Sequence, residues 1–93
     1  SGMATRPETP ESDGLIHDRQ PAAYYIDHIA ELDRARRAGV PVKAYFAWTL
    51  IDNFEWAYGY TTPFGIVHVD LETQKRSPKL SALCYREVIG TRR

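Results

Sequence analysis

The chain has 93 residues, 43% of them hydrophobic and 26% charged, with 12 basic and 12 acidic side chains. It is too apolar for a disordered tail and long enough for one domain at most. Zero formal net charge excludes a general electrostatic attraction to nucleic acid or to an anionic membrane.

A chain of this size buries only about 60–65% of its unfolded surface, so partner contacts would add to a marginal stability. The single Cys84 excludes an internal disulfide and fits a reducing compartment, with cytoplasm as the default. No signal peptide and no run of about 18 apolar residues is present. His17, His28 and His68 share no ligand spacing, so neither a metal nor any other cofactor is expected.

Ser1-Gly2-Met3 reads as a protease-cleavage scar ahead of a start methionine, which sets residues 1 and 2 outside the fold. Residues 1–14, holding Pro7, Pro10 and Gly14 without apolar periodicity, are expected to form an extended arm. Residues 15–93 form the folded part. A helix is expected over residues 21–38, with Pro21 in first position, Gly39 as stop, and Arg34, Arg36 and Arg37 near its negative end. Ala22, Tyr25, Ile29, Leu32 and Ala35 recur at helical spacing beside Ile26, and His28 falls at the edge of that stripe. The arginines, mixed with Glu31 and Asp33, read as a solvated helix face.

Val40-Pro41 cannot continue a helix. The run 42–49, apolar on both faces apart from Lys43, suits a parallel strand covered on each side. Asp52-Asn53 ends it and is expected to anchor loop backbone; residues 52–63 form an aromatic loop with Gly59 and Pro63. Residues 64–70 turn at 71–74 and return through Lys75-Arg76 as a hairpin. Ser77 then caps a last helix with Pro78 first, a stripe of Leu80, Cys84 and Val88 beside Leu83, and Gly90 at its end. One buried-type strand between two helices cannot close a sheet on itself, so this α/β order reads as a slice of a larger barrel.

Eight of the eleven aromatics lie between Tyr45 and Phe64. Within that cluster Trp48, Glu55 and Trp56 suit a sugar: indole faces cover the apolar side of a pyranose while a carboxylate accepts hydrogen bonds from its hydroxyls. Each has a plainer reading. Trp48 and Phe64 would serve as core in many unrelated proteins, and a loop carboxylate such as Glu55 either finds donors or points at water.

At Trp48-Thr-Leu-Ile-Asp-Asn-Phe-Glu-Trp56 the chain resembles the C-terminal part of family 1 glycoside hydrolases, the β-glucosidases and their relatives, whose usual form there is Trp-Ser-Leu-Leu-Asp-Asn-Phe-Glu-Trp. The match continues through Gly59-Tyr60, Phe64-Gly-Ile-Val-His-Val-Asp70, Thr73-Gln74, Pro78-Lys79 and Ser81 to Tyr85, and back to Asp13-Gly14. The resemblance implies a fragment of a (β/α)8 TIM barrel: the penultimate helix, the eighth strand, its long loop and hairpin, and the closing helix, with the site on loops at the strand C-termini. It implies that Glu55 binds two hydroxyls of the non-reducing-end sugar, that Trp56 donates its N–H to another, and that Trp48 and Phe64 form walls. Pro63, Cys84, Ala44 and Pro21 depart from the usual family residues.

Retaining glycosidases need two carboxylates about 5 Å apart. The family carries them in Thr-Glu-Asn-Gly and Asn-Glu-Pro motifs, and neither motif occurs here; Glu8 and Glu11, in Pro-rich surroundings, are poor substitutes. The expectation is therefore a β-glucosidase-like segment with no catalytic residue of its own, inactive alone. Its expected ligand is a β-glucoside or a glycosylated small molecule, and its expected partner a second copy or a chain supplying the rest of the barrel. Rival readings are a free-standing binding or assembly module and a folded gene remnant.

Overall fold

The computed structural model describes residues 1–4 and 9–91; the readings of Pro7 and Glu8 lie outside them. Helix α1 spans Arg19–Arg37, two residues earlier than the apolar periodicity suggests. Pro21 is tolerated as its third residue because first-turn N–H groups have no intrahelical acceptor. Ala22 and Tyr25 are buried and Ile29, Leu32 and Ala35 half-buried, whereas Ile26 faces outward. Gly39 leaves the helix at φ +101, a conformation that suits glycine. The arginines lie beside carboxylates: Arg34 on Glu31 at 3.0 Å, Arg36 and Arg37 on Asp33 at 2.8 and 3.0 Å.

The second helix, α2, is Leu80–Gly90, which corrects its expected start. Ser77 and Pro78 belong instead to a strand. Strands β1 (Val67–Val69) and β2 (Arg76–Pro78) pair antiparallel, with His68 opposite Ser77. Pro78 can sit there because it ends an edge strand. Asp70 closes the turn: its Oδ1 accepts from the N–H groups of Glu72 and Thr73 at 2.9 and 3.1 Å, and its carbonyl accepts from Gln74 N–H at 2.7 Å.

Lys79, at the cap position of α2, makes no side-chain cap. Asp18, just before α1, does this from another segment: Oδ1 accepts from Ser81 N–H at 2.8 Å and Oδ2 from Ser81 Oγ–H at 2.5 Å. Both residues are buried, so each end of the contact satisfies a group that would otherwise be orphaned. The pair holds the two helices together at one end. Farther along, Tyr25 and Tyr85 meet edge-to-face with centroids 6.0 Å apart.

The strand expected over 42–49 does not form a ladder. Among the described residues, the N–H groups of 43–47 make no hydrogen bond, and a strand is stabilised by its partners rather than by its own sequence. The segment is extended but covered on one side alone: Val42, Tyr45, Ala47 and Thr49 are half-buried, whereas Ala44, Phe46, Trp48 and Leu50 are exposed. Ser1 lies on one edge, where its ammonium donates to Phe46 O at 2.9 Å and its carbonyl accepts from Trp48 N–H at 2.6 Å. The described chain is a slab 47 × 32 × 19 Å, thin enough to leave that exposed side without a second layer.

Burial holds the Asp18 carboxyl above its ordinary value of 3.8, against the lowering effects of the Ser81 bonds and the Lys79 charge. A raised folded-state pKa means that the folded chain binds the proton more tightly than the unfolded one. This contribution to stability is therefore complete below the unfolded value and is lost as pH rises through the folded value. Asp18→Asn keeps an acceptor without the charge, so the stability of the parent relative to D18N should be lower at neutral pH than at pH about 3 in urea melts. Asp18→Ala should cost about 2 kcal/mol or more at either pH, since it strands the Ser81 N–H.

Candidate functional site

The loop after residue 51 starts and ends at one place. Asp52 N–H donates to Val67 O at 3.0 Å and Val67 N–H to Leu50 O at 2.9 Å, while Thr49 N–H reaches Phe64 O at 3.2 Å and Ile66 N–H reaches Thr49 O at 2.9 Å. An isolated parallel bridge joins Ile51 to Val67. This brings Phe64 back beside the residue that follows Trp48. The Trp48–Thr49 peptide is cis, and the Trp48 carbonyl accepts the Tyr25 hydroxyl at 2.9 Å. Tyr25 is 1% exposed, and its phenol is pushed up to about 12, chiefly by burial, so it stays a donor across the physiological range.

Glu55 and Trp56 occupy a tight turn at the tip. Glu55 N–H donates to Gly59 O at 2.7 Å, Tyr58 N–H to Glu55 O at 2.8 Å, and a single 3-10 turn spans Trp56–Tyr58. Trp56 has φ +47, a left-handed backbone that costs a non-glycine residue about 1 kcal/mol or more and recurs at functional sites. An edge-to-face contact between Phe54 and Tyr60, centroids 5.4 Å apart, braces the turn from its flanks.

The polar groups aimed at by the sugar hypothesis are unspent. Among the described residues, neither the Glu55 carboxylate nor the indole N–H of Trp48 or Trp56 has a hydrogen-bond or ion-pair partner. Glu55 and Phe64 are half-buried, Trp48 is 49% exposed and Trp56 80%. Neither of two cavities, of 270 and 420 Å³, is lined by any of the four. Among the described residues no group of three His, Cys, Asp or Glu could hold a metal, and no helix is long and apolar enough to cross a membrane.

Asp52 and Asn53 do anchor backbone, as their position suggests: Asp52 Oδ1 accepts from Gly65 N–H at 2.9 Å and Asn53 Nδ2 donates to Ile51 O at 2.8 Å. Sequence reasoning missed two contacts next to these residues, the Tyr25 hydroxyl on the Trp48 carbonyl and the Lys79 ammonium on Asp52, both at 2.9 Å. Tyr25 sits in an apolar stripe, where its hydroxyl carries no signal of a target; Lys79 falls within the Pro-Lys match without any indication that it is buried.

Comparison with known proteins agrees with this geometry. The model of glycosyl hydrolase family 1 matches residues 1–93. β-Glucosidase A of Thermotoga maritima is 49% identical over 77 residues, which cover 83% of this chain and 17% of that one. β-Glucosidase 44 of Arabidopsis thaliana is 49% identical over 74 residues, 80% of this chain and 14% of that one. The solved structure of the Thermotoga maritima β-glucosidase in complex with noeuromycin superposes with a TM-score of 0.90 at 45% identity, covering 96% of this chain and 20% of that one. The chain thus spans a fifth or less of these relatives, and its helices, hairpin and extended segment are a fragment of their TIM barrel. It belongs to glycosyl hydrolase family 1.

Proposed function

We propose that this chain carries part of the glycone-binding wall of a β-glucosidase-like hydrolase and does not hydrolyse glycosides by itself. The observation that carries this reading is the unspent Glu55 carboxylate on a tight turn next to an indole that is 80% exposed. In this reading Glu55 accepts hydrogen bonds from two sugar hydroxyls, Trp56 Nε1–H donates to a third oxygen, and Trp48 and Phe64 flank the ring. A bidentate carboxylate fixes orientation, and an indole face covers the axial C–H groups.

Neither the Thr-Glu-Asn-Gly nor the Asn-Glu-Pro motif occurs in the sequence, and retaining hydrolysis needs both carboxylates about 5 Å apart. The purified chain should therefore leave an aryl β-glucoside intact. Turnover that survives purification to homogeneity and disappears in Glu55→Gln would give Glu55 a catalytic role and overturn the proposal.

One wall converges fewer donors than an enclosing site, and water competes for each. Glucose should bind with a dissociation constant on the order of millimolar or weaker. Titration followed by NMR should shift the Trp48 and Trp56 indole N–H signals selectively, and Glu55→Ala should remove the effect. Shifts confined to α1 and α2 would contradict it.

The same proposal extends to assembly in the cytoplasm, where Cys84 stays reduced. It is supported by the unpaired N–H groups of 43–47 and by the exposed Phe46, Trp48 and Leu50, since open edges and apolar faces recruit partners. Light scattering at tens of micromolar should give a homo-oligomer unless a chain supplying the rest of the barrel is present. A folded monomer with a cooperative melt and no exposed-apolar dye binding would refute this part.

A further inference from the structure

One carboxylate fixes both ends of the sugar-facing loop. Asp52 Oδ1 receives the Lys79 ammonium at 2.9 Å and the Gly65 N–H at 2.9 Å, and His68 Nδ1 lies 3.6 Å from Oδ2. Asp52 stands three residues before Glu55, and Gly65 follows Phe64. Gly65 is buried, and a Cβ on it would fall on the Asp52 backbone nitrogen and within 2.7 Å of Asp52 Oδ1. The loop mouth is therefore closed around the carboxylate with no space to spare. Lys79 is 2% exposed and is itself held from two sides: its N–H donates to Ile66 O at 2.9 Å, and the next N–H, of Leu80, donates to Ile16 O at 2.8 Å.

We propose that Asp52, held by the buried Lys79, is the positioning residue of the Glu55–Trp56 wall. The inference rests on reading that wall as the sugar site, but the geometry it claims is independent of any sugar. The ammonium fixes the carboxylate in place, and the carboxylate fixes Gly65 and thereby Phe64 against the start of the loop. With the ammonium 2% exposed and the carboxylate 15%, the pair keeps its geometry because neither partner can leave without stranding the other's charge. Preorganised site residues depend on supports of this kind.

Hydrogen exchange of the whole chain without ligand tests it. In Lys79→Met the N–H groups of Glu55, Tyr58 and Gly59 should exchange about tenfold faster or more, while amides of α1 and α2 change by less than about twofold, as local opening rather than global unfolding predicts. Lys79→Arg, which keeps a cation, should restore the exchange rates. Asp52→Asn, which keeps an oxygen for Gly65 but loses the charge, should behave like Lys79→Met. If either single variant fails to fold, Asp52→Asn with Lys79→Met removes both charges together and carries the test with the same readout. Unchanged loop protection in the folded variants, or loosening spread equally through the helices, would overturn the proposal. Loss of glucose binding in the parent chain alone would count against the sugar reading and leave the positioning claim standing on its exchange data.

Discussion

Most of the architecture depends on how one buried lysine is neutralised. Lys79 is 2% exposed and sits at the cap position of α2, where the helix already presents its positive end. A cation there is unfavourable twice over, by desolvation and by the dipole. Two aspartates from distant segments offset it. Asp52 makes the direct ion pair at 2.9 Å, and Asp18, which feels the Lys79 charge, caps the α2 N-terminus through Ser81. Because Asp18 precedes α1 and Asp52 opens the aromatic loop, the same few ångströms of structure fix the helix pair, the loop and the hairpin relative to one another.

The arrangement divides the two aspartates by task. Asp18 spends both oxygens on Ser81 and is held above its ordinary pKa by burial, as befits a group placed to satisfy hydrogen-bond donors. Asp52 takes the ammonium and a backbone N–H on one oxygen and keeps the other toward His68. Asp13 and Asp70, by contrast, lie at the surface with carboxyls lowered chiefly by a bond from His17 and by backbone N–H groups of the Thr73 turn. These stabilise turns locally and hold no distant segments together.

What the sequence made legible follows from which signals are local. Helix α1, its stop at Gly39 and the turn at 71–74 were readable because apolar spacing, glycine and Asp70 act over a few residues. Trp48, Glu55, Trp56 and Phe64 stand out in the sequence because aromatic and acidic residues cluster within one run. The start of α2 is not legible because Ser77 looks like an N-cap, whereas its burial opposite His68 puts it in β2 and the cap comes from Asp18, more than sixty residues away. The run 42–49 reads as covered on both faces because its composition is apolar on both. Composition reports what a strand can bury, while coverage depends on neighbours, and here one side has none among the described residues.

That uncovered side bears directly on the site. Trp48 shares it with Ala44 and Phe46, since alternate residues of an extended chain point the same way, so its indole is continuous with the apolar surface that lacks a second layer. The loop tip is closed by the Glu55 to Gly59 turn, and its mouth is anchored by Asp52. An element that covered Phe46 would therefore also bound the space in front of Trp48 and exclude water from it. Completion of the fold and the setting of the exposed Trp48 are thus coupled through one surface, because a covering element would lower the local dielectric in front of the indole and strengthen any hydrogen bond made there.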